Sequence, residues 1–214
     1  MKNNRKIFIF VGPSASGKTT IEEALIKKGA TRWVVSTTRE KRKNEVEGVD
    51  YNFLSVEEFN KKRENFLHII EINKNWLYGY PQPPRNKGVI LISIINVEPA
   101  LKLKKILEEQ GEDVYIISFQ IPKKVRRELL KKRGDKEADI QIRFSREENQ
   151  NEMFASLNEK PDLIIKSLKN SQQIVEDFIR NQVFKNNQIN YFYQDDLSPE
   201  EVKRILKDKG IWED

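Results

Sequence analysis

The stretch GPSASGKT at residues 12–19 has the residue types and the spacing that bind phosphate groups. Gly12 and Gly17 allow the backbone to curl, so that successive N–H groups point at phosphate oxygens. Lys18 is placed to reach the outer phosphates of a nucleoside triphosphate, and Thr19 can offer its hydroxyl to Mg²⁺. A simple turn between a strand and a helix can also contain these residues, so the flanking segments decide between the two interpretations.

Both flanks of this loop agree with the phosphate-binding interpretation. The run KIFIFV at residues 6–11 is apolar and predicts a buried strand. Residues 19–28 have helical spacing and stop at Gly29. We therefore predict ATP or GTP, together with Mg²⁺, as ligands, and Thr19 as the metal-binding residue. The predicted ATP-binding residues are Gly12, Ser14, Ala15, Ser16, Gly17, Lys18, Thr19 and Thr20.

A second chemical feature is the charged stretch VVSTTREKRKNEVEGVDY at residues 34–51. Its arginines, Arg39 and Arg42, are three residues apart, and guanidinium groups bind a phosphate through pairs of parallel hydrogen bonds. Arginine pairs in loops are also common as solvated surface charge. We take Lys41 and Lys43 as solvated, and the two arginines as candidates for binding an anion.

Together the two stretches resemble guanylate kinase. The similarity extends over about residues 6 to 180 and is strong in about the first 80. The matching positions of the charged stretch and of the segment after it are Ser36, Thr37, Thr38, Arg39, Arg42, Glu45, Gly48, Asp50, Tyr51 and Phe53. The resemblance implies ATP-dependent phosphorylation of a nucleoside monophosphate, with GMP or dGMP as the first candidates.

The resemblance also implies roles for individual residues. The acceptor phosphate would be bound by Arg39, Arg42, Tyr51 and Tyr78. The catalytic residues would be Lys18, Arg39, Arg133 and Arg143, the last two in a lid. A third lid position carries Leu129, and Arg126, one helical turn earlier, is a candidate substitute.

The sequence departs from the family where guanine would be recognised. Val35 replaces a serine, and the position of a base-binding glutamate falls on His68 or on Ile69, depending on one inserted residue. The acceptor-base region would comprise Val35, Ser36, His68, Glu71 and Asn96. His68, the only histidine, can equally be structural. These departures favour the alternative acceptors, which are a modified or non-guanine nucleotide and ribose 1,5-bisphosphate.

The remaining elements predict the frame that positions these residues. Apolar strands at 89–95, 113–119 and 161–166 alternate with helices at about 98–109, 122–132, 138–156 and 171–184. This alternation indicates an α/β fold with a parallel central sheet. The resemblance to guanylate kinase implies a P-loop kinase fold with three α/β/α layers. We predict a guanylate-kinase-like domain at 1–184, with its core at 1–35 and 89–184.

Two further segments complete the predicted domain organisation. Residues 36–88 form an acceptor-binding insert of short strands and one helix, which opens with the capping box Ser55–Glu58. The resemblance to guanylate kinase also implies a lid at about residues 133–143. Residues 185–214 are a C-terminal extension.

Composition excludes several classes of function. Without cysteine, the chain has no thiolate catalysis and no disulfide. The net charge of +6 favours anionic partners, but a nucleic-acid-stimulated ATPase has no other support, so we expect no nucleic-acid partner. The apolar run before Gly12 is too short to span a membrane, and we expect a cytoplasmic enzyme, monomeric or homodimeric. A non-catalytic interaction module is the other alternative; such modules typically lose the phosphate loop.

Overall fold

The structure is a computed structural model. It describes residues 5–43, 45–73, 76–84, 90–145, 152, 154 and 159–185. The predicted C-terminal extension, apart from Lys185, lies outside the described residues. Among the described residues, no helix is both long enough and apolar enough to span a bilayer.

A five-stranded parallel sheet forms the centre of the fold. Its strand order is β2-β7-β1-β8-β9, and each neighbouring pair runs parallel. The strands are β1 Lys6–Val11, β2 Thr31–Arg32, β7 Ile90–Ile94, β8 Asp113–Phe119 and β9 Leu163–Ile165. Every residue of β1 is buried, as expected for the middle strand of a sheet covered on both faces.

Helices cover both faces of this sheet. On one face, α3 (Val97–Glu109) packs through Leu103 and Leu107 on the odd-numbered side chains of β1. On the other face, α1 (Lys18–Lys27) and α6 (Ser171–Lys185) pack against its even-numbered side chains. The predicted α/β/α layering with a parallel sheet is confirmed.

A second sheet of four strands follows β2. Its order is β4-β3-β6-β5, with β3 Val35–Thr37, β4 Tyr51–Phe53, β5 Phe66–Asn73 and β6 Trp76–Pro81. Helix α2 (Val56–Lys61) follows β4, and Ser55 and Glu58 form the predicted capping box at its start. Strands β2 and β3 were not predicted, because strands of two and three residues are too short to show a periodic pattern.

The pairing of β5 with β6 is irregular. His68 lies opposite Tyr80 and Ile69 opposite Gly79, while register shifts occur between Phe66 and His68 and again beyond Glu71. Gly79 is required here because a Cβ atom would lie 2.7 Å from the ring of Phe66.

Two further helices follow β8. Helix α4 spans Lys123–Lys132 and α5 spans Glu137–Ser145. The long helix predicted at 138–156 is thus described as α5 up to Ser145. Beyond that point only Glu152 and Phe154 are described, and both are helical.

Candidate active site

The phosphate loop connects the end of β1 to the start of α1. Its backbone has positive φ at Gly12 (155°), Ala15 (59°) and Gly17 (89°), so the loop encloses a concave surface before the helix begins. A Cβ atom on Gly12 would lie 2.8 Å from the Cβ of Phe119 and 3.1 Å from Oγ of Ser16. Only glycine fits at that position, because the end of β8 passes directly against the loop.

Lys18 lies folded over the same loop. Its Nζ donates to the carbonyl oxygens of Gly12 at 2.6 Å and Pro13 at 2.7 Å, and to Oγ of Ser16 at 3.2 Å. Buried Ser16 also donates to the Pro13 carbonyl at 2.8 Å. The ammonium group is therefore held at the mouth of the loop, where the predicted triphosphate would bind.

Helices α4 and α5 pack on the phosphate loop. Ala15 contacts the apolar cluster of Leu130, Ile140 and Phe144, which joins α4 to α5. Arg126 of α4 is buried and donates to the carbonyl oxygens of Ile121 at 3.0 Å and Ser14 at 3.2 Å.

This position does not fit the role suggested for Arg126 as a substitute lid arginine. The guanidinium also lies 5.0 Å above the Phe144 ring, between the two helices. Arg126 therefore supports the phosphate loop from behind. Charge and helical spacing alone could not reveal this, because the partner loop is about a hundred residues away in sequence.

The other two lid arginines lie beside one turn. Arg133 ends α4, where its N–H donates to the carbonyls of Leu129 and Leu130, and its side chain is exposed. Arg143 of α5 forms an ion pair with Asp135 at 3.3 Å. Both guanidinium groups are therefore at the surface of the α4–α5 pair.

Arg39, Tyr51 and Tyr78 come together on the second sheet, and we call them the clamp. Nε of buried Arg39 donates to the Tyr78 hydroxyl at 3.2 Å, and its guanidinium lies 5.3 Å above the Tyr51 ring. The Thr37 hydroxyl accepts the Arg39 N–H at 3.1 Å and donates to the Leu77 carbonyl at 2.9 Å. These bonds fix the start of the loop that carries Arg39 against β6.

Glu45 is the counter-ion of the clamp. Its two carboxylate oxygens accept from Nη1 and Nη2 of Arg39 at 3.0 and 2.7 Å. Burial alone would lower the pKa of Arg39, but the hydrogen bonds that Arg39 donates to Glu45 and Tyr78 raise it, so Arg39 stays charged. Burial would raise the pKa of Glu45. The hydrogen bonds that it accepts from Arg39 and Arg42 outweigh this effect and lower the pKa, so Glu45 stays ionised. Sequence reasoning matched Glu45 to the family but assigned it no part in the site.

Arg42 is attached to the clamp through Glu45. Its backbone N–H donates to Glu45 at 2.8 Å, and its guanidinium lies 4.0 Å from the same carboxylate. The Arg42 side chain is 68% exposed, whereas that of Arg39 is 5% exposed. Arg42 is thus free to swing towards an anion, while Arg39 is held in place.

A cavity of about 190 Å³ lies between the phosphate loop and the clamp. We call it the cleft cavity; its lining includes Thr19 on one side and Glu45 and Tyr51 on the other. Glu22 and Arg32 form an ion pair in the wall of this cavity, with a distance of 3.0 Å between their charged atoms. Burial raises the pKa of Glu22, and the ion pair with Arg32 only partly offsets this rise. The cleft cavity therefore has Thr19 of the predicted ATP-binding loop on one side and Tyr51 of the clamp on the other, while Arg39 and Arg42 line a different pocket.

A second cavity, of about 120 Å³, extends from the clamp in another direction. We call it the apolar cavity. Its lining residues are Val35, Tyr51, Ile70, Ile72, Tyr78, Tyr80, Ile94, Ile95 and Asn96. Two of the predicted acceptor-base residues, Val35 and Asn96, thus line the same space.

The other predicted acceptor-base residues lie around this cavity rather than in its wall. Ser36 is buried within β3, and its hydroxyl is 3.5 Å from the amide of Asn52. Glu71 is exposed and opposite Leu77, on the strand face away from Ile70 and Ile72. His68 stacks on Tyr80, with ring centroids 6.1 Å apart, and its Nε2 is buried with no hydrogen-bond partner.

Comparison with known proteins gives one consistent result. A family model described as guanylate kinase matches residues 4–182. The guanylate kinase of Clostridium perfringens is 34% identical over 155 residues, which cover 67% of this chain and 69% of that protein. The guanylate kinase of Onion yellows phytoplasma is 35% identical over 162 residues, covering 70% of this chain and 75% of that protein.

The fold has a counterpart among solved structures. The crystal structure of guanylate kinase from Anaplasma phagocytophilum superposes with a TM-score of 0.56 at 21% identity, covering 100% of this chain and 99% of that one. That likeness supports the fold, while the sequence matches extend over the phosphate loop, the clamp and the lid helices. On these grounds, the chain belongs to the guanylate kinase family.

Proposed function

We propose that the chain transfers the γ-phosphoryl group of ATP to the phosphate of a nucleoside monophosphate, with GMP as the first acceptor to test. The observation that carries this proposal is the cleft cavity, which joins the phosphate loop at Thr19 to the clamp at Tyr51. An enzyme that brings two phosphates together needs two anion sites facing one space. Membership of the guanylate kinase family supports the same reaction.

The reaction asks little of the protein beyond position and charge. The attacking atom is an oxygen of a phosphate that is already ionised at neutral pH, so no general base is required. The barrier is the approach of two anions, and oriented cations lower it. In our proposal, Lys18 neutralises the ATP phosphates, the clamp with Arg42 holds the acceptor phosphate, and Arg133 and Arg143 approach from the lid.

The residues present fit a bound Mg²⁺. Thr19 is exposed at the first turn of α1 and lines the cleft cavity, so its hydroxyl can join phosphate oxygens around the ion. In the described part of the chain, no group of three or more acidic, histidine or cysteine side chains could hold a metal by itself. When bound, Mg²⁺ would neutralise charge on the phosphates.

The test is release of ADP from ATP in the presence of single acceptors. The panel contains GMP, dGMP, AMP, CMP, UMP and ribose 1,5-bisphosphate, each compared with ATP alone. Lys18→Ala should lower turnover at least a hundredfold, because the loop loses the cation that spans the outer phosphates. Lys27→Ala, on the exposed side of the same helix, is the matched control and should be unaffected.

Two outcomes of this assay would contradict the proposed function. If no acceptor raises turnover above the rate with ATP alone, the chain is not a kinase of this type, and a binding module becomes the better explanation. If Lys18→Ala retains full activity, the phosphate loop does not have the proposed role.

A further inference from the structure

The apolar cavity is placed to receive the part of the acceptor that carries the phosphate. Tyr51 and Tyr78 of the clamp belong to its lining, together with Tyr80 and Ile95. A phosphate held by Arg39 would thus leave the body of its molecule pointing into this space. This step rests on the proposed function.

Five of the nine side chains that line the cavity are aliphatic, and the other four are polar. The aliphatic side chains are Val35 from β3, Ile70 and Ile72 from β5, and Ile94 and Ile95 from the end of β7. Such a wall packs against the faces of a planar base, but it offers no hydrogen bonds to the edge of the base.

The polar side chains of the wall are uncharged. Beyond the clamp tyrosines they are Tyr80 and Asn96. Burial and the neighbouring Tyr51 and Tyr78 raise the pKa of Tyr80, so its hydroxyl remains protonated. Asn96 precedes α3 as its N-cap residue, but its side chain makes no capping hydrogen bond, so the amide is available to a ligand.

The carboxylates next to this wall in sequence have other surroundings, and Asp50, beside Tyr51, lines the cleft cavity. Glu71 is exposed and lies on the opposite face of β5 from Ile70 and Ile72. Glu98 is exposed on α3 and bonds to Lys102 at 2.9 Å. In the described part of the chain, the lining of the apolar cavity contains no carboxylate.

We propose that this cavity binds the base of the acceptor without recognising the 2-amino group of guanine, so that IMP is phosphorylated about as well as GMP. Guanine differs from hypoxanthine by this amino group, which donates two hydrogen bonds. A site built around a carboxylate acceptor rejects the analogue lacking the donor strongly, because the buried charge loses its partner. A neutral wall loses little when the donor is absent.

With IMP, the reaction is the same transfer. An oxygen of the IMP phosphate forms the new bond to the γ-phosphorus of ATP, and the bond from that phosphorus to the β–γ bridging oxygen breaks. The products are ADP and IDP. No further reactant is needed.

The experiment measures kcat/KM for GMP and for IMP under saturating ATP. We expect the two values to agree within about tenfold. A larger preference for GMP would overturn the inference while leaving the kinase function in place. If neither nucleotide is phosphorylated, the proposed function has failed, and the inference fails with it.

Variants that supply a carboxylate test the same idea from the other direction. Ile70→Glu places an acceptor on the wall, and Ile70→Gln is its neutral control of equal shape. Ile72→Glu with Ile72→Gln repeats the pair at a side chain that is 54% exposed, where a charge is easily tolerated.

We expect at least one glutamate variant to raise the ratio of GMP to IMP activity tenfold or more over its glutamine control. If both glutamate variants keep the ratio of their glutamine controls, the base does not bind against this wall and the inference is wrong. Circular dichroism establishes that each variant is folded. The ratio in the unmodified protein decides the question even if a variant does not fold.

Discussion

Arg39 forms a bidentate ion pair with Glu45, in which Nη1 and Nη2 lie 3.0 and 2.7 Å from the two carboxylate oxygens. Both side chains are largely buried. A phosphate entering the clamp therefore meets a guanidinium that already has a negative partner. Glu45 orients Arg39, and under the proposed function it would share the guanidinium with the acceptor phosphate.

Glu45→Gln should lower the free energy of unfolding by about 1–3 kcal/mol, because a buried guanidinium loses hydrogen bonds to a charged partner. Saturating GMP should narrow that difference, since its phosphate replaces the missing charge. Urea titration with and without GMP measures both effects. Glu40→Gln, an exposed carboxylate in the same loop, is the control; equal losses in the two variants would argue against the counter-ion role.

Tyr78→Phe should raise KM for the acceptor about tenfold, the equivalent of one hydrogen bond of about 1.4 kcal/mol. The hydroxyl accepts from Arg39 and is part of the site that we propose for the acceptor phosphate. KM for ATP should change little. Steady-state kinetics provide the measurement, and Tyr115→Phe, on β8 against Phe8 and Phe178, controls for loss of a hydroxyl. A larger rise in KM for ATP would show that Tyr78 acts elsewhere.

Arg126→Lys should raise KM for ATP several-fold and lower the free energy of unfolding by about 1–3 kcal/mol. An ammonium group cannot span the carbonyls of Ile121 and Ser14 as the planar guanidinium does. Arg127→Lys is the control, because Arg127 pairs with Glu137 at the surface, where ion pairs contribute little. Nucleotide titration of both variants makes the comparison, and an unchanged affinity in Arg126→Lys would contradict the supporting role.

Parts of this site follow from sequence and parts do not. The phosphate loop and the main parallel strands are predictable, because a continuous apolar run beside a glycine-rich turn has few other structures. The partnership of Arg126 with Ser14 depends on tertiary contact and leaves no local pattern. The position of His68 was ambiguous because irregular pairing between β5 and β6 hides the register that spacing alone would assign.

His68 should make stability depend on pH near neutrality. Burial lowers the pKa of His68, and the charge of Lys102 on α3 lowers it further. The charge of Glu98 raises the pKa but does not outweigh these effects, so the folded protein favours the neutral ring. The neutral His68 ring contributes fully to the free energy of unfolding above a pH of about 6.5, the pKa of histidine in the unfolded chain. This contribution is lost as the pH falls from there through the lower pKa of His68 in the folded protein. Urea titrations from pH 8 to pH 5 should show a smaller decline for His68→Gln than for the unmodified protein. Identical declines would exclude His68 as the cause.

In the described chain, no strand belongs to both sheets, so the second sheet can be treated as an exchangeable unit. The polypeptide passes from the central sheet to the second one through Trp33 and Val34, and it leaves after Pro81. Two hydrogen bonds fix the backbone of Trp33 to the central sheet. Its backbone N–H donates to the Ile92 carbonyl at 2.7 Å, and its carbonyl accepts from the Ser93 hydroxyl at 2.9 Å. Residues 35–81 thus form a cassette with two covalent joints. Chimeras that exchange this cassette between relatives could transplant substrate preference while leaving the ATP-binding machinery intact.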